Sequence, residues 1–170
     1  MKKETKLQRE KATIAGLKHH ARRLSIRESS FSTIRQSLGD SYITPFAIAI
    51  NSSNFIIAML SSISGLVGPM SQWFSSRLME KYSRKKIVIT ALFYECLMWI
   101  PLILTAFLFY KGILTSFLPM FLLILFSLYV ILANLAGPAW FSWVGDLVDE
   151  GYRGKWFSKR NLIHGTVLVI

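Results

Sequence analysis

Cysteine is almost missing from this chain of 170 residues. The one thiol, Cys96, excludes an intrachain disulfide, and no Cys/His cluster has the spacing of a metal site. No cofactor is expected. Acidic residues are scarce as well, with nine Asp and Glu against 20 Lys and Arg, a formal net charge of +11. Residues 1–30 lack the apolar core of a secretory signal peptide.

The absence that constrains most is charge from long stretches. From Phe31 to Ser76 only Arg35 and Asp40 are charged, from Ile87 to Tyr110 only Glu95, and from Gly112 to Gly145 no residue. A helix crossing a hydrocarbon core of about 30 Å needs roughly 17–25 mainly apolar residues. With 52% hydrophobic residues and only 17% charged, the composition is that of an integral membrane protein rather than a soluble domain. The expected fold class is all-α, a polytopic transmembrane helical bundle.

The spans are bounded by what interrupts them. A first is predicted over about 31–50, closed by the polar "NSSN" at 51–54. A second covers about 55–76, a third about 87–109 up to "YKG" at 110–112, and a fourth about 117–144. A fifth apolar run starts near Leu162 and reaches Ile170, too short to cross. That predicts a fragment of a longer multispanning protein, or a truncated product. Residues 1–30 form a basic arm. Leu7, Ile14, Leu17, Ala21 and Leu24 recur at helical spacing, which fits an amphipathic helix on an anionic inner leaflet; a disordered basic tail fits equally.

Nine of the cations lie in residues 1–30, five in 77–86 and four in 153–160. These three clusters fall on one side of the predicted spans and only Lys111 on the other. This is the positive-inside pattern, so the basic side, with the N-terminus, is expected in the cytoplasm and the protein in the cell membrane. A net charge of +11 alone suggests nucleic-acid binding, but cations bracketed by spans do not form a phosphate-reading face. No nucleic-acid partner is expected. Membrane lipids, including anionic inner-leaflet lipids, are.

The hairpin "SSRLMEKYSRKKIV" resembles the cytoplasmic motif between helices two and three of the major facilitator superfamily, which reads close to Gly-x-Leu-x-Asp-Arg-x-Gly-Arg-Lys. Ser76 and Ser83 stand at its glycines, Leu78 at the leucine, Glu80 at the aspartate, Lys81 at the arginine, and Arg84 and Lys85 at the basic pair. The stretch "GDLVDEGYRGKWFSKRN" is similar to the loop between helices four and five in a branch of the same family, matching at Gly145, Asp146, Arg153, Gly154, Phe157 and Arg160. The resemblance covers about residues 31–170, the first five of twelve helices. It implies two six-helix bundles, a small-molecule solute held between them and transport by alternating access. Further C-terminal helices of the same protein would then complete the cavity. It also implies that Glu80, Lys81, Arg84, Lys85, Asp146 and Arg153 form gating hairpins whose charges pair when the cytoplasmic side is closed. The alternative is that these cations serve only topology and lipid contact.

Polar residues inside spans are costly and therefore informative. Counted from the cytoplasmic ends, Asp40, Glu95 and Asn134 fall at similar depths, about 12–15 Å at 1.5 Å per residue. Thr44 lies on the Asp40 face. Together they make a candidate polar layer for a substrate, a proton or another ion. Each would otherwise simply bond a neighbouring helix. Arg35, five residues before Asp40, is expected to snorkel to the interface without pairing to it. Ser61–Gly65, Ser64–Gly68 and Ala133–Gly137 are small-residue pairs at helix-packing spacing. There is no HExxH and no pair of intramembrane aspartates, so an enzyme is not expected. Two readings remain: part of a secondary transporter coupled to protons or another ion, or a truncated or non-transporting membrane protein that acts as a packing or assembly partner.

Overall fold

The computed structural model describes the backbone of residues 2–169 and the side chains of residues 20–21 and 23–166. All regular structure among these residues is helical. Helix α1 is Lys2–Leu38, followed by a 3-10 turn at Asp40–Tyr42 and a short α2, Ile43–Ala49. Then come α3 (Asn54–Lys81), α4 (Arg84–Tyr110) and α5 (Leu118–Gly145), a second 3-10 turn at Glu150–Tyr152, and α6 (Arg153–Val169). Helices α3, α4 and α5 are each long and apolar enough to cross a membrane. They lie over the predicted stretches 55–76, 87–109 and 117–144. The chain divides into two compact units, residues 42–143 and residues up to 41 together with those from 144 onward.

The polar breaks end helices for a definable reason. At the end of α4, Gly112 adopts φ +67°. Its N–H donates to Phe109 O (2.9 Å), and the Ile113 N–H donates to Leu108 O (3.0 Å). This paired pattern satisfies the last carbonyls of a helix and needs a left-handed residue at its centre, which glycine tolerates best. The "NSSN" break repeats it. Asn51 has φ +55°, its N–H donates to Ile48 O (3.0 Å), and the Ser52 N–H donates to Ala47 O (3.0 Å). Asparagine is among the non-glycine residues that enter this region most readily. Ser53 then caps α3, its hydroxyl accepting from the Ile56 N–H at 3.4 Å. The α3–α4 hairpin is tighter: Tyr82 and Ser83 are both extended, and α4 starts at once. Helices α3, α4 and α5 run on through Pro69, Pro101 and Pro138.

Within residues 42–143 the buried apolar side chains form two clusters. Ile43, Ala47 and Ile50, one face of α2, pack with Leu60, Leu102, Leu118, Leu122 and Leu123. Farther along the helices, Ile87, Val88 and Ala139 pack with Leu78, Met79, Trp140 and Trp143. Between the clusters the polar residues Ser71 and Ser75 on α3, Glu95 on α4 and Asn134 on α5, with Gly68, stand among buried apolar ones, Ala91, Tyr129, Val130 and Ala136. Large apolar side chains elsewhere, among them Met70, Phe93, Leu104, Phe107 and Phe121, point outward. So much exposed apolar surface is untenable in water and expected in lipid.

The other unit pairs α1 with α6. Ser29 and Thr33 of α1 are fully buried, with Ser25 and Ser37 half-buried at the same four-residue spacing. Small side chains on one face let a neighbouring helix approach closely. The opposite face carries Leu24, Phe31 and Leu38, all exposed. Val144, Val148 and Trp156 are buried, and Trp156 meets Phe157 edge-on at 4.9 Å.

The predicted first span is not one helix. Residues 31–50 comprise the end of α1, a break at Gly39, the 3-10 turn and α2. Helix α1 runs through residues 30 and 31 without interruption. The arm's helical backbone is described, but Leu7, Ile14 and Leu17, on which its amphipathic face rests, lie outside the described side chains.

Candidate polar layer and basic hairpins

Glu95 is a charged residue inside an apolar helix and only 4% exposed. It sits on the face of α4 that Val88, Ala91, Leu102 and Thr105 also bury, at the spacing of successive helical turns. Its position along α4 falls between the two apolar clusters.

Asn134 is at the equivalent place on α5, and its contacts are explicit. Its Nδ2 donates to Val130 O at 2.9 Å, and its Oδ1 accepts from Gln72 Nε2 at 3.2 Å. One turn away Ser75 Oγ donates to Leu135 O at 2.7 Å. These bonds fasten α3 to α5. Gly68 makes the approach possible, since a Cβ there would lie 3.3 Å from Asn134 Oδ1. Gly65 and Gly137, from the other small-residue pairs, have open space where a Cβ would be.

Asp40 opens the 3-10 turn and Thr44 is exposed on α2. Asp40 and the pair Glu95 and Asn134 belong to different compact units. Arg35 does pair with Asp40, Nη1 to Oδ2 at 3.5 Å, contrary to the expectation from helical spacing. The break at Gly39 is the reason. Five residues apart on a continuous helix the two point in different directions, but past the break Asp40 is no longer bound by that geometry. Asp40 lies outside the three apolar helices. Burial pushes its carboxyl above the ordinary range, and the Arg35 charge offsets only part of that rise.

Glu80, Lys81, Arg84 and Lys85 are all exposed around the α3–α4 hairpin. Three cations, Arg84, Lys85 and Lys86, occupy the first turn of α4, with no acid beside them in that turn. Positive charge there opposes the helix dipole, at about 0.3–1 kcal/mol for each cation. Arg153 works differently. Its Nε donates to Gly145 O (2.9 Å) and Val148 O (3.1 Å), closing the carbonyl end of α5. Its guanidinium reaches Glu150 at 3.7 Å, a surface contact. Asp146 is exposed. Arg160, matched in the same loop, pairs with Glu28 of α1 at 3.3 Å.

Sequence reasoning missed a cleft beside the hairpin. It encloses about 370 Å³ between apolar walls from α3, α4 and α5, with Lys86 and Tyr82 on its lining. The sequence shows the cations and the apolar residues, but not the gap between helices. The α1–α6 pairing was missed too, although Ser25, Ser29, Thr33 and Ser37 carry its signal.

No family model, curated protein or solved structure matches the chain. Three helices fit to span a bilayer mark it as a membrane protein.

Proposed function

We propose that the chain is part of a secondary transporter of the major facilitator type. It moves a small solute by alternating access with coupling to protons or another ion, and further helices of the same protein complete the cavity. The observation that carries this reading is Glu95, a buried carboxylate midway along an apolar helix. Intramembrane acids are retained where they serve an ion or substrate path. Thr44 and Asn134 are the other members of the proposed polar layer within residues 42–143, and Asp40 belongs to the other compact unit. The exposed charges Glu80, Lys81, Arg84 and Lys85 form one proposed gating hairpin, and Asp146 and Arg153 belong to a second, in the other compact unit. Several surface-type pairs of about 0–1 kcal/mol each bias two states without locking either. The N-terminus and the basic hairpins face the cytoplasm in this reading, against anionic lipids of the cell membrane.

The test is proton movement. The full-length protein, carrying the further helices that complete the cavity, is reconstituted in vesicles containing a pH-sensitive dye and challenged with panels of sugars, amino acids and organic ions. At least one solute should drive proton flux, and Glu95→Gln should abolish it while leaving insertion intact. A full panel with no flux contradicts the transporter.

A second reading is favoured by Asn134, Gln72, Gly68 and Ser75, which are engaged in holding α3 to α5. Polar residues used in this way fit a non-transporting membrane protein that acts as an assembly partner. Co-purification with a fixed partner subunit, without flux, supports it.

A further inference from the structure

The cleft at the α3–α4 hairpin has a charge arrangement that the polar layer does not explain. Its walls are Leu78, Ile87, Ala91, Leu132 and Leu135, so most of its surface is hydrocarbon. Its volume, about 370 Å³, is within the range of ligand-sized pockets, roughly 300–1,000 Å³. At one end Lys86 lines it, with its ammonium 5.4 Å from the centre of the Tyr82 ring. Thr90 and Tyr94 follow on the next turns of α4, so the lined stretch from Lys86 to Tyr94 is about 12 Å long. Lys85 is exposed beside that end, and the first turn of α4 holds no acid. The site is therefore cationic at one end and apolar along the rest, on helices that fit a bilayer.

We infer that this cleft holds an anionic phospholipid, with one acyl chain between α4 and α5 and the phosphate on Lys86 and Lys85. The inference rests on the membrane reading and gives its lipid contact a location. An anion at this end also compensates cations that the helix dipole disfavours. A zwitterionic headgroup brings a cation of its own to the same spot, so the site discriminates by net charge. Each lysine near a membrane surface contributes about fivefold to anionic-lipid affinity.

The experiment is native mass spectrometry of the full chain, released from vesicles of equal phosphatidylglycerol and phosphatidylcholine. The wild type should retain phosphatidylglycerol at least about fivefold over phosphatidylcholine. Lys86→Gln should cut that ratio about fivefold. Thr90→Trp, at an exposed lining position that leaves the buried core untouched, should remove the retained lipid of both kinds. Equal retention of the two lipids by the wild type overturns the inference, as does unchanged retention in Thr90→Trp. So does displacement of the lipid by excess inorganic phosphate, which would mean a free-anion site. A dimer that Thr90→Trp dissolves also overturns it, since a second copy would then be the occupant. Carbonate extraction separates the two levels. A chain washed off membranes ends the membrane reading itself, whereas an embedded chain with no lipid preference ends this inference alone.

Discussion

Within residues 42–143, Leu104, Phe107 and Phe121 point outward, and α3 meets α5 through Gly68, Ser75 and Asn134. Within the other unit, Trp156 and Val148 are buried, and an ion pair between Glu28 and Arg160 joins α1 to α6. The difference follows from how much charge the helices of each unit carry. Between apolar helices in lipid there is no hydrophobic gain from contact, so close fit and interhelical hydrogen bonds hold the helices together. In the more highly charged α1 and α6, a buried tryptophan and an ion pair supply the contacts instead. Both units also place small residues where helices meet, Ser29 and Thr33 in one and Gly68 and Ser75 in the other.

Substitutions that separate these two modes differ in size. The largest effect should come from Trp156→Ala, which removes a nearly fully buried side chain and should cost roughly 3–5 kcal/mol. The matched control, Phe121→Ala on an outward face, should stay within about 0.5 kcal/mol. Both are read from reversible unfolding in mixed detergent micelles, and equal costs would erase the contrast. Next comes Gly68→Leu, which forces a side chain against Asn134 and should cost about 1–3 kcal/mol. Gly65→Leu, with open space around it, should cost about 0.5 kcal/mol or less. Ser75→Ala removes one interhelical bond and should lower stability by about 0.6 kcal/mol. Apart from the two controls, the smallest effect is Glu28→Gln, about 0.5 kcal/mol for a partly exposed pair. It should vanish near 1 M salt, where screening acts within about 3 Å. A Glu28→Gln cost that salt leaves unchanged would mean the pair is buried.

Much of this was legible in the sequence where a residue type has a single structural use. The polar "NSSN" and "YKG" marked breaks in the apolar runs, and both breaks are there, each turning on a left-handed residue, Asn51 or Gly112. The three apolar helices followed from the absence of charge. The Arg35–Asp40 pair was misjudged because helical spacing was carried across Gly39. Of the three described glycines in the small-residue pairs, Gly68 makes a close approach and Gly65 and Gly137 do not, because which face of a helix meets a neighbour depends on the partner's shape. Glu95 was recognisable as exceptional by its type and place. Its burial depended on the phase of α4 against its neighbours, and apolar residues all round a helix do not set that phase. Asn134 shows the same limit, because its partner Gln72 is distant in the chain.

The account rests on α3, α4 and α5 crossing a membrane with the basic hairpin inside. The most direct test places single cysteines at Ser83 and at Lys111, in a background where Cys96 is replaced by serine. A membrane-impermeant maleimide is then applied to intact cells and to inverted vesicles. Ser83→Cys should react only in inverted vesicles and Lys111→Cys only in intact cells. Labelling of both sites from the same side would mean that α4 does not cross, and the transporter reading would fall with it.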